Sequence, residues 1–181
     1  MQITETDIPG VLILETPVFR DGRGYFQETF RRDALLAAGI RYEWTQDNLS
    51  VSAKNVIRGL HYQVGQPQAK LVRAVHGAVF DVAVDIRRSS ATFGKHVAVR
   101  LAAGDGRALL IPPGFAHGFA ALEPETAFLY KVDASYFPQG DRTILWNDLK
   151  LDIPWPVAET DAVLSEKDRK ATPFVSAEIF D

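Results

Sequence analysis

Short apolar segments separated by turn residues run through most of the chain. They are rich in β-branched and aromatic residues, as in VLILETPVF, NVIRGLHYQ, KLVRAV, KHVAVRL and AFLYKVDASYF, and this composition is typical of strands. AVFDVAVDIR alternates, so we expect one strand face to carry Ala78, Phe80, Val82, Val84 and Ile86. About ten such segments with little helix between them predict an all-β jelly roll, a barrel or sandwich with a few short helices.

Glycine-containing turns divide these segments. The stretch RDGRG, with Asp21 and Gly24, predicts a turn between two short strands. His76-Gly77 and the stretch AAGDG before Arg107 carry the residues of tight hairpins, so we expect the flanking strands to pair.

Two short stretches have helical character. RRDALLAAGI combines good helix formers with Asp33 as a candidate cap and Gly39 as a stop. LSEKDRKA predicts a single helical turn capped by Ser165. Between them, ILWNDLKLDIPWPV is loop-like. Because no repeat or linker interrupts the pattern, we predict one domain over residues 1–181.

Composition narrows the class of protein. The chain has 181 residues, 46% of them apolar and 24% charged, which fits a globular protein with a substantial core. A net charge of −3 without a basic run argues against nucleic acid as the main partner. With no cysteines, disulfides and thiolate chemistry are excluded, and a reducing cytoplasm is the expected location. Neither a signal peptide nor a membrane-spanning segment is visible.

The candidate chemistry begins with four histidines. His76 fits a turn and His96 an exposed strand position. His61 and His117 lie in β structure where a barrel mouth is expected, and each is either a hydrogen-bonded structural residue or part of a site. Metal-binding cupins, which are β-barrels, place a second histidine two residues after the first, but here that residue is Gln63. The sequence therefore predicts no metal site.

Acid/base chemistry is the alternative use of these residues. A histidine such as His61 is suited to proton abstraction at neutral pH. Proton removal next to a ketone builds negative charge on the carbonyl oxygen, and Lys70 is a candidate cation for it. Tyr130 is a candidate acid for the opposite face, although on these residues alone a core tyrosine with a satisfied hydroxyl is the better explanation.

Arginine is the residue expected for a diphosphate, and Arg23, Arg58 and Arg73 are candidates beside the alternative of solvated strand faces. Arg58 and His61 differ by an odd number, so a regular strand would point them to opposite faces. They can line one pocket only if the strand is irregular, and Gly59 between them is a candidate position for a bulge.

Seven ordered blocks carry a resemblance to a known family. FRDGRGYFQETF, QDNLSVSAKNVIRGLHYQ, KLVRAVHGAVFDVAVDIRRSSATFGK, IPPGFAHGFAAL, FLYKVDASYFP, ILWNDLKLDIPWP and LSEKD together resemble the dTDP-4-dehydrorhamnose 3,5-epimerases over nearly the whole chain. The resemblance implies a metal-independent cupin-type jelly roll, a homodimer without cofactor, and a dTDP-linked 4-keto-6-deoxyhexose as substrate. The reaction implied is inversion at C3 and C5, on the way to dTDP-L-rhamnose.

The same resemblance implies a role for each site residue. His61 matches the base, Tyr130 the acid, Asp168 the carboxylate that orients the histidine, and Lys70 the cation beside the enolate oxygen. Substrate-binding positions match Phe19, Arg23, Glu28, Gln46, Asp47, Asn48, Arg58, His117, Tyr136 and Asp141. Part of the N-terminal group is expected to reach the partner subunit's site. Asp141 departs from the glutamate that the family often has, which puts its nucleotide contact in doubt.

Three alternatives stay open at this point. A relative that inverts only C3 or only C5 would share these blocks. A non-catalytic cupin that binds a sugar nucleotide belongs to another functional class, and intact His61, Lys70, Tyr130 and Asp168 argue against it. A metal-dependent cupin enzyme is disfavoured by Gln63.

Overall fold

Strands dominate the computed structural model, which describes all residues, 1–181. In chain order they are β1 (Gln2–Glu5), β2 (Leu12–Glu15), β3 (Val18–Asp21), β4 (Gly24–Gln27), β5 (Gln46–Ser52), β6 (Ile57–Gln63), β7 (Lys70–His76), β8 (Ala78–Asp85), β9 (His96–Ala102), β10 (Arg107–Ile111), β11 (Phe115–Ala121), β12 (Thr126–Val132) and β13 (Asp141–Thr143).

Two antiparallel sheets face each other. The six-stranded sheet has the order β1-β2-β10-β7-β12-β5, and the five-stranded sheet has the order β13-β6-β11-β8-β9. Strands β3 and β4 form a separate hairpin, as the turn residues Asp21 to Gly24 predict. The prediction of an all-β jelly roll is confirmed.

The main core lies between the two sheets, where buried side chains from both meet, among them Val72, Leu109, Phe119 and Phe128. Strand β8 is buried on both faces. Val82 and Val84 of this strand and Ile86 just after it share a face, as predicted, and pack under the C-terminal segment. Each aliphatic side chain buried in this way contributes about 1.5–3 kcal/mol to folding.

Two predicted hairpins are wrong. Gly77 joins β7 to β8, but these strands belong to different sheets, and the AAGDG turn likewise takes the chain from β9 in one sheet to β10 in the other. Gly77 has a φ of +66°, and a Cβ there would lie 2.5 Å from the Thr126 hydroxyl. The turn residues therefore mark where the chain turns, while packing decides which strand it meets.

The helices are short. Helix α1 (Arg32–Ala37) confirms the first predicted helix, but Asp33 is not its cap: Arg31 is the N-cap, no side chain caps the helix, and Asp33 lies in the first turn. Helix α2 (Glu166–Arg169) begins as predicted at Ser165, whose hydroxyl accepts from the Asp168 amide. Single 3₁₀ turns occur at Pro138–Gly140 and Phe174–Ser176. None of the helices is long and apolar enough to cross a membrane.

The C-terminal segment packs on the five-stranded sheet and determines where α2 lies. Parallel bridges join Val56 to Val163 and Ile144 to Thr172. The Leu60 amide also donates to the Ile144 carbonyl at 3.0 Å. These contacts hold α2 beside β6 and bring the end of the chain to the middle of the sheet.

Candidate active site

A cavity of about 430 Å³ opens between the two sheets. Its polar and aromatic lining from several strands is typical of a small-molecule site. The predicted site residues that line it are Gln46, Asn48, Arg58, His61, Lys70, His117, Tyr130, Tyr136 and Asp141.

The predicted irregularity in β6 is present. His61 pairs with His117, but Arg58 pairs with Phe119, so β6 has one more residue than β11 over this interval. The extra residue lets Arg58 and His61 line the same cavity despite their odd spacing. Gly59 is required there, because a Cβ would lie 2.5 Å from the Cα of Gly118.

His61 is paired with Asp168 across 107 residues of chain, with 2.6 Å between Nε2 and Oδ1. The carboxylate is buried, and its other oxygen accepts from the Ser165 hydroxyl at 2.6 Å. The carboxylate is therefore fully satisfied and holds the imidazole in one orientation.

Electrostatics keep His61 in its basic form. Burial lowers the pKa of His61 below its ordinary value, the hydrogen bond with Asp168 opposes this, and the charges of Lys167 and Lys70 lower the pKa further. For Asp168, burial acts to raise the pKa, but the hydrogen bonds with His61 and Ser165 outweigh it, and the net pKa is lowered. A neutral imidazole beside an ionised carboxylate is the arrangement of a general base.

Lys70 lies on β7, in the sheet opposite His61. Its side chain is nearly buried, and its ammonium donates to the His61 carbonyl at 3.4 Å. Burial lowers the pKa of Lys70 to about 8, against the opposing charges of Asp81 and Asp141. At neutral pH the ammonium form therefore predominates, and it is a suitable cation for an oxyanion.

Tyr130 lies on β12, in the same sheet as Lys70 and across the cavity from His61. Burial raises the pKa of Tyr130, and the charge of Arg58 acts in the opposite direction. The phenol therefore keeps its proton at neutral pH and is able to donate it. A base on one wall and an acid with a cation on the other are what inversion next to a ketone requires.

One predicted contact, Asp47, is not brought into the cavity. Strand alternation points Gln46 and Asn48 inward, so Asp47 lies on the outer face of β5, where its carboxylate accepts from Lys131 at 2.8 Å. Arg73, a candidate for diphosphate binding, does not line this cavity either. Its guanidinium donates instead to the Thr29 carbonyl beneath the N-terminal segment.

Phe19, Arg23 and Glu28 also lie outside the cavity of their own chain. They belong to the β3–β4 hairpin and the residue just after it. Phe19 is 62% exposed. Arg23 pairs with Asp21, and Glu28 pairs with Arg31 at 3.4 Å. Within one chain these side chains do not line the site.

The mouth of the cavity carries a small polar network. The Tyr136 hydroxyl donates to Asp141 at 3.1 Å, and Lys167 forms an ion pair with the same carboxylate. This hydrogen bond raises the pKa of Tyr136. Lys167 was missed by sequence reasoning, although it directly precedes Asp168 in LSEKD.

Other lining residues were also missed as functional candidates: Ser50, Tyr62, Gln63, Gln68 and Phe119. Gln63 accepts from the Phe137 amide and donates to the Gln66 carbonyl, each at 2.9 Å, which ties β6 to the loop bearing Tyr136. A further missed residue, Asp81, contacts the lining residue His117. The signal for it was present, because a carboxylate in an apolar strand is uncommon.

No three histidine, aspartate or glutamate side chains come together in a way that would hold a metal ion. Independence from metals stays a prediction for experiment.

Comparison with known proteins places these residues in context. Residues 5–176 match the profile of the family described as dTDP-4-dehydrorhamnose 3,5-epimerase. The chain is 50% identical to the dTDP-4-dehydrorhamnose 3,5-epimerase of Shigella flexneri, over 99% of each chain.

Solved structures of epimerases have the same fold as this chain. The dTDP-6-deoxy-D-glucose-3,5-epimerase of Legionella pneumophila, in complex with dTDP-4-keto-L-rhamnose, superposes with a TM-score of 0.94 at 42% identity, covering 98% of this chain and 94% of that one. A 3'-monoepimerase from Streptomyces bikiniensis, in complex with dTDP-quinovose, gives a TM-score of 0.86 at 30% identity, covering 94% and 87%. Double and single epimerases therefore share this fold.

Proposed function

The chain belongs to the dTDP-4-dehydrorhamnose 3,5-epimerase family, and we propose that it converts dTDP-4-keto-6-deoxy-D-glucose to dTDP-4-dehydro-L-rhamnose, in the biosynthesis of dTDP-L-rhamnose. The observation that carries the proposal is the division of the cavity walls. His61, which is paired with Asp168, lies on one wall of the cavity. Lys70 and Tyr130 lie on the opposite wall, which the other sheet forms.

Each inversion consists of two proton transfers. His61 removes the proton from a carbon next to the C4 ketone, and the electron pair moves to the carbonyl oxygen to form an enolate. The Lys70 ammonium stabilises that negative charge. Tyr130 then protonates the carbon from the opposite face, so the configuration inverts. The ketone acidifies both C3 and C5, so the same three groups serve at both carbons without a redox cofactor.

The remaining lining residues suit the nucleotide half of the substrate. The guanidinium of Arg58 is the candidate partner for the diphosphate, since its planar fork matches phosphate oxygens. It is held in place by the Ser52 hydroxyl at 3.1 Å. Tyr136, which is 57% exposed at the mouth, offers a ring face to the thymine. Gln46, Asn48 and His117 supply hydrogen bonds to the polar atoms of the substrate.

We further propose that the enzyme is a cytoplasmic homodimer whose β3–β4 hairpin completes the partner's site. The hairpin exposes Phe19 at 62% and Phe26 at 69%, and the edge strand β5 exposes Leu49 at 61% and Val51 at 59%. Exposed apolar side chains of this size on both elements support a contact between copies. The hairpin would bring Phe19 and Arg23 to the ligand in the other subunit.

The activity is tested by solvent exchange. The purified protein is incubated with dTDP-4-keto-6-deoxyglucose in heavy water without added metal, and deuterium at each sugar carbon is read by NMR. Incorporation at both C3 and C5 is expected. Incorporation at one carbon only would make the protein a single epimerase, and none at either carbon with dTDP still bound would make it a binding protein.

Two variants test the roles of the residues. His61→Ala should abolish exchange at both carbons, whereas Tyr130→Phe should retain exchange but impair net inversion. Full turnover by His61→Ala would overturn the assignment of the base.

The shared site is tested by mixing two inactive variants. In a mixed dimer of Arg23→Ala and His61→Ala, one site would hold a native His61 and a native Arg23 from the partner. Random mixing in equal amounts should therefore restore about a quarter of the native sites. No recovery, with mixed dimers demonstrated, would exclude a site shared in this way.

A further inference from the structure

Asp81 lies on β8 with no exposed side-chain surface. One carboxylate oxygen lies 2.9 Å from Nε2 of His117, while the other, Oδ1, has no hydrogen-bond partner. A buried carboxylate with an unpaired oxygen is costly, and such groups are usually retained for a specific purpose. The proposed chemistry assigns no task to Asp81.

The hydrogen-bond partner of Asp81, His117, lines the cavity. His117 pairs in register with His61 on the neighbouring strand, so both imidazoles lie on the same face of the sheet. Lys70 lines the same cavity from the opposite sheet. The only hydrogen-bond partner of its ammonium is the neutral carbonyl of His61, so this buried cation lacks a direct counterion.

We propose that Asp81 is a positioning residue for the epimerisation: one oxygen fixes the His117 ring, and its negative charge is the countercharge of the buried Lys70 ammonium. The inference rests on the function proposed above. It assigns part of the electrostatics of that reaction to a residue outside the cavity lining.

The charges around Lys70 single out Asp81. Besides burial, the charges that act on the pKa of Lys70 are Asp81 on β8 and Asp141 on β13, which raise it, and Lys167 on α2, which lowers it. The other titratable groups of the cavity lining on the opposite sheet are Arg58, His61 and Tyr62 on β6 and His117 on β11, while Tyr130 on β12 lies in the same sheet as Lys70. Asp141 is already engaged by Lys167 and by the Tyr136 hydroxyl. Asp81 is therefore the carboxylate whose charge remains available to Lys70.

The contact with His117 has a second consequence. An ionised carboxylate only accepts hydrogen bonds, so Nε2 of His117 must donate to Asp81. The other ring nitrogen, Nδ1, is then the atom of His117 left for a ligand in the cavity. Asp81 thereby determines which atom of the ring is presented to the substrate.

The test compares two buried carboxylates of one strand. Asp81→Asn removes the charge at the cavity, and Asp85→Asn is the matched control, since Asp85 lies on the same strand and is equally buried. Asp85 is satisfied by Arg87, Ser90 and Thr92 and does not contact the site. Asp81→Ser removes the same charge with a smaller side chain, so the test does not depend on the folding of one variant.

The first readout is the pH dependence of kcat/KM. In both Asp81 variants the alkaline limb of this pH profile should move to lower pH by about one unit, because Lys70 loses its proton more readily. On that limb the shift corresponds to about a tenfold loss of rate. The acid limb should keep its position, and Asp85→Asn should keep the native alkaline limb. A slower enzyme with an unshifted alkaline limb would give Asp81 only a structural role and overturn the proposal.

The second readout does not depend on activity. The rate at which acetic anhydride modifies Lys70 is followed against pH by peptide mass spectrometry, with exposed Lys54 as the internal reference. In Asp81→Asn, Lys70 should become reactive at lower pH than in the native protein. An unchanged Lys70 profile in the folded variant would overturn the proposal, whereas a shifted profile in a protein without epimerase activity would overturn only the proposed function.

Discussion

The cavity contains two carboxylate–histidine pairs that face it side by side and differ in their surroundings. In the first, Asp168 pairs with His61 and accepts from the Ser165 hydroxyl, and His61 exposes 33% of its side chain. In the second, Asp81 has a single partner in His117, which exposes 7% of its side chain. The same two residue types are thus placed in an accessible pair and in an enclosed one.

The difference teaches what distinguishes a base from a fixed binding group. A general base must reach the proton that it removes, and the exposed imidazole of His61 can do so. A satisfied carboxylate behind it stabilises the imidazolium that forms. His117 is enclosed and has less access, and its carboxylate retains an unpaired oxygen. Histidine next to aspartate therefore does not by itself identify the catalytic pair.

The largest contrast is expected between substitutions of the two histidines. His61→Asn should lower kcat by about 10³-fold, because no other group on that wall removes the proton. His117→Asn should instead act mainly on KM, since a binding contact is lost. Steady-state kinetics measure both, and dTDP titration serves as the control for an intact site. Equal losses of kcat in the two variants would erase the distinction between the pairs.

Asp168→Asn should have the next largest effect. Loss of the orienting carboxylate should reduce kcat by about 10²- to 10⁴-fold, by analogy with other acid/base dyads. Because the hydrogen bond with Asp168 raises the pKa of His61 against burial, its removal should also move the acid limb of the pH–rate profile to lower pH. Native-like activity with an unshifted acid limb would contradict the pairing.

The pH dependence of the native enzyme sharpens the comparison further. The lowered pKa of His61 places the acid limb below 6.5, since the base form persists to lower pH. The alkaline limb should lie near pH 8, where Lys70 loses its proton. The raised pKa of Tyr130 puts the loss of its proton at higher pH. A profile of kcat/KM that stays flat beyond pH 9 would contradict the role of Lys70.

Ser165→Ala should have the smallest effect. It removes the helix cap and one donor to Asp168, so the free energy of unfolding should fall by about 1 kcal/mol. Asp168 keeps His61, so the loss of rate should be smaller than that of Asp168→Asn. Urea unfolding and kinetics measure the two effects, with Ser165→Thr as the control that keeps a hydroxyl. A rate loss as large as that of Asp168→Asn would show that the helix, not the hydrogen bond, orients the pair.

Local features of the fold were predictable where the backbone itself imposes them. The β3–β4 turn, the Ser165 cap and the irregularity at Gly59 each follow from residues close together in the chain. The pairing of strands around Gly77 and across AAGDG was not predictable, because a tight turn serves equally for a hairpin and for a crossing between sheets. Asp47 shows the same limit, since the resemblance selected three consecutive residues while strand alternation admits only Gln46 and Asn48 to the cavity.

The sequence by itself determined the β architecture and, through its resemblance to a family, the residues expected to carry the chemistry: His61, Lys70, Tyr130 and Asp168. Only the tertiary structure decided that His61 and Tyr130 lie on opposite walls, that Asp168 reaches His61 from 107 residues away, and that Asp81 lies behind His117. The reason is physical. Alternation and turn propensity act over a few residues, whereas the position of a side chain in the cavity depends on how two sheets and the C-terminal segment bury their apolar faces together.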